Sequence, residues 1–286
     1  MSDLKRILVT GATGFIGMAI AEKLEEDGLQ VIRTTRNQSE ADGTRALYLD
    51  LSRPETISRL ANDHRFDAIV HFGARIGWSG ETEEELLVPN VIAAGLLANL
   101  ALRTDLQFVF SSAAMVCGVM AEKIAKDAPA NPDTPYGKSK WLAEKLVRAS
   151  GVRHCTLRIG GVFGLDGPSH LGVNRAIAGA INQTAPQLYG SGNARRNYIY
   201  LWDVAETVAH IIRNNIEGTH LLAGSERRSV RSMLEEICEV FMPGESPVQR
   251  PGDDAADQLI EPSSDLPETR SFRSALEDIR DRAVAK

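Results

Sequence analysis

Apolar residues over the first 160 positions fall into two alternating kinds of run. Short, nearly unbroken runs at 7–9, 29–34, 45–49, 66–71, 107–110 and 154–159 have the length and β-branched content of buried strands. Between them, helix-compatible stretches cover about 15–27, 54–62, 86–103 and the residues after Pro135. Strands that alternate with helices and are apolar on both faces build a parallel sheet with helices on each side. The predicted fold is therefore α/β, a doubly wound parallel sheet. Beyond 164 the alternation lapses. A Gly/Pro/Ser-rich connection (164–172), a helix near 173–183, a segment at 218–222, a helix at 229–241, a loop at 244–267 and a final helix at 272–283 describe a smaller lobe. The expected boundaries are a larger domain over 1–165, rejoined by a segment at about 193–215, and a lobe mainly over 166–286.

The first strand runs from Thr10 into Gly11, Gly14 and Gly17 as a helix begins at Phe15. Gly11 permits a sharp turn, Gly14 lets the backbone approach a pyrophosphate, and Gly17 lets the helix pack close to the strand. The helix's free N–H groups and positive dipole end suit phosphates. Gly11, Thr13, Gly14, Phe15, Ile16 and Gly17 are thus the candidate dinucleotide loop; the competing reading is a tight turn with no ligand. The spacing G-x-x-G-x-x-G resembles the short-chain dehydrogenase/reductase superfamily, particularly its extended, NAD-dependent epimerase/dehydratase branch. That resemblance implies a Rossmann-type sheet with a small C-terminal substrate-binding lobe.

Cofactor choice is read at the end of the second strand. A carboxylate there bonds the ribose 2′-hydroxyl of NAD, but this chain has Thr35 and Arg36, with Arg33 just before. A guanidinium pairs bidentately with a 2′-phosphate. The expectation is NADP, with NAD possible; the alternative makes both arginines solvated surface charges. The resemblance places Asp50 and Leu51 against the adenine, although Asp50 also suits a helix cap. It places Phe72, Gly73 and Ala74 beside the cofactor's ribose, and Asn90 as the brace of the loop beneath it. Arg75 opens a polar loop, with Trp78 and several acids, where family members line the substrate pocket; a solvated loop fits equally. His71 is read as a core residue.

Tyr136 and Lys140 stand four residues apart, so both side chains leave one helix face. A phenol with an ordinary pKa near about 10 is a poor base at neutral pH. A neighbouring ammonium and an oxidised nicotinamide favour the phenolate. Tyr136 is the candidate acid/base, and Lys140 its tuner and a ribose ligand. The stretch from Ser111 to Gly118 is similar to the family's S-S-x-x-x-V-Y-G, with Cys117 in the tyrosine's place. The hydroxyl that epimerases place three residues before the Val is absent at Ala113; reductase relatives place it at Ser112, the third catalytic candidate. Ala114 and Met115 cannot supply the Asp-Glu pair of dehydratases. Residues 195–204 resemble R-D-F-V-Y-V-D-D-V-A, which implies that Arg196 grips a substrate diphosphate and that Tyr189 packs on its base. The alternative for Arg196 is a salt bridge within the lobe. Gly161 stands where the family's L-R-P-x-N carries a substrate-contacting Asn, and Asp203 is read as a helix N-cap.

Composition narrows the class. A net charge of −6 over 286 residues disfavours a broad nucleic-acid surface. Cys117, Cys155 and Cys238 are odd in number and far apart, so neither a zinc site nor a disulfide framework is expected. The apolar stretch at 86–102 is broken by Pro89, Asn90 and Asn99, which suits a core helix better than a membrane span. The expectation is a cytoplasmic, homodimeric enzyme: an NAD(P)-dependent oxidoreductase or epimerase at an alcohol/ketone carbon of a nucleotide sugar. The alternatives are a reductase of a non-nucleotide carbonyl and a non-catalytic NADP sensor.

Overall fold

The computed structural model describes residues 5–63, 66–77 and 80–285, with backbone alone for 61–63. Trp78 lies outside the described residues. Strands β1 (Arg6–Thr10), β2 (Gln30–Thr35), β3 (Ala46–Tyr48), β4 (Ala68–His71), β5 (Gln107–Ala113), β6 (His154–Ile159) and β7 (Gly218–Leu222) form a seven-stranded sheet in the order β7-β6-β5-β4-β1-β2-β3. The pairings from β3 across to β6 are all parallel. The order reverses at β1 and β4, and a sheet of this kind places ligands outside the carboxyl ends of its strands at that point.

Helices α1 (Phe15–Glu26), α2 (Pro54–Asp63), α3 (Glu83–Arg103) and α4 (Pro135–Ser150) fill the connections. The core gathers Leu8, Ile32, Ile69, Phe108 and Phe110 of the sheet with Leu97 and Ala101 of α3 and Ala143 and Val147 of α4. Helix α3 opens on a Thr82–Glu85 capping box and passes through a π-helical stretch at Leu87–Ile92. Among the described residues it is the one helix long and apolar enough to cross a membrane; 61% of its most apolar window is buried, with α4 packed against it.

The chain divides into two compact units. The first comprises Met1–Val119, Ala128–Ile159 and Val204–His220; the second comprises Met120–Asp127, Gly160–Asp203 and Leu221–Lys286. These limits differ from the expected ones because short pairings capture intervening segments. Val162–Phe163 pairs with Ile199–Tyr200, and Lys123–Ile124 with Leu259–Ile260, inside the second unit. Residues 218–222, expected with the small lobe, instead add the edge strand β7 beside β6. The expected loop at 244–267 contains the strands Val248–Arg250 and Leu259–Ile260. Asp203 is a further correction. It sits inside the first turn of the Leu201–Asn214 helix, where its carboxylate accepts from the Arg270 backbone N–H (2.9 Å) and guanidinium (2.7 Å).

Candidate active site

The loop after β1 is built from missing side chains. A Cβ on Gly11, whose φ is +72°, would fall 2.7 Å from the Gly73 nitrogen, and one on Gly17 would fall 2.1 Å from the Gly11 carbonyl oxygen. The loops after β1 and β4 therefore touch through backbone. Thr10 holds them together: its Oγ1 accepts from Gly73 N–H at 3.2 Å and lies 2.6 Å from His71 Nδ1. His71 is fully buried, and burial pulls its imidazole down to about 3, so it stays neutral. Helix α1 starts at Gly14 with no side-chain cap and no acid in its first turn. Its first N–H groups are thus left for an anion, and the residues here fit a dinucleotide's phosphates. Thr13 and Gly14 are exposed, Phe15 and Ile16 half-buried.

The end of β2 departs from expectation. Arg33 turns back to Glu25 in a two-point ion pair (2.7 and 3.2 Å), while Arg36 is exposed. A short 3₁₀ turn at Gln38–Glu40, capped by Asn37, brings Glu40 onto the strand end. Its carboxylate accepts from Thr35 Oγ1 (3.0 Å) and Asn37 Nδ2 (2.9 Å). A carboxylate absent from the strand itself is thus supplied five residues later. Asp50 closes a turn by accepting from Ser52 N–H (2.9 Å) ahead of α2, and Leu51 leans its Cδ1 to within 2.7 Å of where a Gly73 Cβ would be.

Asn90 lies buried in the π-helical stretch of α3. Its amide takes the Arg75 N–H (2.8 Å) and donates to the Arg75 carbonyl (2.9 Å) and to Ser139 Oγ (3.0 Å). The loop of Phe72, Gly73, Ala74 and Arg75 is thereby tied to α4. Arg75 itself is exposed, 3.5 Å from Glu81.

Helix α4 begins with Thr134 capping Gly137 N–H and Pro135 in its first turn. Tyr136 is half-buried, and burial pushes its phenol above its usual range. Lys140 is 1% exposed; its Nζ lies 5.8 Å from the Tyr136 ring centre and donates to the Ser111 carbonyl at 2.7 Å. Burial pulls that ammonium down to about 7, against the pull of Glu144. The expected lowering of the phenol by Lys140 is not present in the chain alone, where burial is the cause that acts on it.

Ser112 is engaged away from Tyr136. Its hydroxyl has one proton, and it donates that proton to Glu144 Oε1 at 2.5 Å inside the core. Arg158 clamps the same carboxylate from Nε (3.0 Å) and Nη2 (2.8 Å), and its Nη1 lies 3.9 Å from Cys117 Sγ. Ser112 belongs to a buried network behind Lys140. Glu144 was legible as the third rung of an i, i+4 ladder from Tyr136 and Lys140; Glu40 had no local signal.

In the second unit, Tyr189 is 59% exposed, and its hydroxyl donates to Gln187 Oε1 at 2.8 Å. It borders a cavity of about 680 Å³ together with Arg175, Gln187 and Tyr198. Arg196 does not line that cavity, contrary to the expectation of a shared site. Its Nη1 turns to the carbonyls of Ala256 (2.6 Å) and Arg195 (2.9 Å), and it borders a separate void of about 10 Å³. Its neighbour Arg195 makes an ion pair within the lobe, gripping Asp257. A Cβ on Gly161 would fall 2.5 Å from Tyr198 Cδ1, so the Tyr198 ring fills the room an asparagine would need. Among the described residues, no group of three or more His, Cys, Asp or Glu side chains is placed to hold a metal ion.

Residues 7–224 match the family model described as "NAD dependent epimerase/dehydratase family". A UDP-glucose 4-epimerase of Azospirillum brasilense is 28% identical, over 87% of this chain and 82% of its own. The fold is shared with UDP-N-acetylglucosamine 4-epimerase from Bacillus cereus (TM-score 0.83, 21% identity, 97% and 99% of the two chains). It is shared too with UDP-glucuronic acid 4-epimerase from Bacillus cereus in complex with NAD (TM-score 0.79, 20% identity, 98% and 100%).

Proposed function

Because the chain belongs to the NAD dependent epimerase/dehydratase family, we propose that it is an epimerase-type oxidoreductase acting on a carbinol carbon of a nucleotide sugar. The observation that carries the reading is the pairing on one face of α4 of a desolvated phenol, Tyr136, with a buried ammonium, Lys140. When bound, NAD supplies the hydride acceptor and donor. The chain's own residues handle the proton. Tyr136 Oη takes the proton of the substrate hydroxyl as the carbon is oxidised and returns it on reduction. Lys140, held by the Ser111 carbonyl, favours the phenolate when protonated, and its remaining N–H groups suit ribose hydroxyls. Gly11, Gly14 and the first amides of α1 hold the phosphates; Asn90 fixes the loop of Phe72 to Ala74 that lies against Gly11.

Tyr189 presents an exposed ring for the base, which supports a nucleotide-linked substrate. For the nucleotide cofactor, Glu40 at the end of β2 suits the free ribose hydroxyls of NAD and repels a 2′-phosphate, and Arg36 acts in the opposite sense. We take NAD as the cofactor. The test is to incubate the protein with NAD and UDP-, dTDP-, GDP- or ADP-hexoses and follow the sugar by NMR. An epimerase interconverts two epimers with no net change in nicotinamide absorbance. Net consumption of reduced cofactor would make the chain a reductase, and no conversion with any nucleotide sugar would overturn the reading.

A further inference from the structure

The cavity of about 680 Å³ in the second unit has the size of a small-molecule site. Its walls are mostly apolar, with Val173, Met233 and Leu234 among them, and Arg175 is its one charged lining residue. Arg175 is exposed and makes no ion pair among the described residues. It stands in the first turns of the Gly172–Ile181 helix, whose start at Leu171 has no side-chain cap and no acid in the first turn. A cation beside unsatisfied N–H groups favours an anion. A second polar feature of the lining is the Gln187–Tyr189 pair on one face of the strand Gln187–Tyr189. With its carbonyl oxygen accepting from the Tyr189 hydroxyl, the Gln187 amide is held in one orientation, with its NH₂ turned away from Tyr189 to donate to a ligand.

Resting on the nucleotide-sugar reading, we infer that Arg175 is the phosphate-binding cation of this cavity. We infer also that Gln187, locked by Tyr189, selects a base presenting a carbonyl edge (uracil, thymine or guanine) over one presenting an amino group (cytosine or adenine). An NH₂ donor meets a keto oxygen as a hydrogen bond, whereas against an exocyclic amine two donors face each other and one stays unpaired. Tyr189 then does two things with one side chain: its face stacks, and its hydroxyl sets the orientation of the reading group.

The test is calorimetry of the full chain, with NAD present, against UDP, dTDP, GDP, CDP and ADP. The wild type should bind UDP at least about tenfold tighter than CDP. Tyr189→Phe keeps the ring but frees the Gln187 amide to rotate, so the preference should collapse to within about threefold while UDP still binds. Gln187→Glu, with acceptors only, should turn the preference toward CDP. Arg175→Gln should weaken every diphosphate by about tenfold or more with its preference among bases intact. Binding of UDP and CDP with equal affinity, an unchanged preference in Tyr189→Phe, or Arg175→Gln without effect beside a collapse in Arg196→Gln would each overturn the inference while leaving the nucleotide-sugar reading standing. Binding of none of the five at millimolar concentration would instead sink that reading. Of the four substituted positions Arg175, Gln187 and Tyr189 are solvent-exposed and Arg196 is half-buried, and unchanged melting temperatures without ligand confirm that the variants fold.

Discussion

The Ser112 hydroxyl and the Glu144 carboxylate share a 2.5 Å hydrogen bond inside the first unit, with Arg158 gripping the other side of the same carboxylate. On the proposed reading, a serine so engaged supports the helix that carries Tyr136 and Lys140 and keeps its proton on Glu144. Ser112→Ala should therefore destabilise the fold by about 1–2 kcal/mol in urea melts, because a buried acceptor loses a partner. Turnover should change by less than about threefold. Ala113→Ser restores a hydroxyl one residue further along β5, and should raise turnover. A large loss of turnover in Ser112→Ala at unchanged stability would return Ser112 to the catalytic group.

Tyr136→Phe keeps the ring and removes the oxygen. Turnover should fall by roughly two orders of magnitude or more, with NAD affinity within about twofold of wild type by calorimetry. Activity retained in this variant would show that the proton moves elsewhere.

Lys140 makes a statement about stability as well as function. Its ammonium ionises near 7 in the folded chain against an ordinary 10.5. Between those values the unfolded chain holds more protons, so stability rises with pH through that window. Below about 7 the whole desolvation penalty is present. Lys140→Met should consequently be more stable than wild type at pH 6, by on the order of 2 kcal/mol, with the gap narrowing toward pH 10. The same variant should be inactive. Denaturant melts at the two pH values check it, and a methionine variant less stable at pH 6 would refute it.

Glu40 is where the cofactor proposal can be tested. Glu40→Gln removes the charge that repels a 2′-phosphate and should raise NADP affinity about tenfold with NAD nearly unchanged. Arg36→Ala should weaken NADP alone. Tighter wild-type binding of NADP than of NAD would reverse the assignment.

The alternating runs made the sheet legible because a strand buried on both faces is apolar throughout, and Gly11, Gly14 and Gly17 marked where its first loop turns. Tyr136 and Lys140 were legible as neighbours because helical spacing is local. What stayed hidden depends on where a chain returns. Glu40 reaches the end of β2 only through the turn at Asn37, and Arg196 is drawn off by the carbonyl of Ala256, sixty positions away in the chain. Ser112 and Ser111 look alike in the sequence, yet only tertiary packing gives one to Glu144 and the other to Lys140. Residues 218–222 resembled lobe sequence because an edge strand needs only five residues and one neighbour.

The glycines of the first loop also determine which mutations can be repaired. The atoms that would meet a methyl group at Gly11 and Gly17 are backbone atoms of Phe72, Gly73, Gly11 and Ala12, and no substitution elsewhere removes a backbone atom. At Gly73 the nearest obstacle is the far end of a side chain, Leu51 Cδ1 at 2.7 Å. Position 73 therefore has a compensating partner, and positions 11 and 17 have none. In a library that varies the loop together with Leu51, alanine should survive at 73 in company with a smaller residue at 51, while 11 and 17 return as glycine in every functional clone. Where the loops after β1 and β4 meet, an evolving population finds two dead ends and one negotiable site.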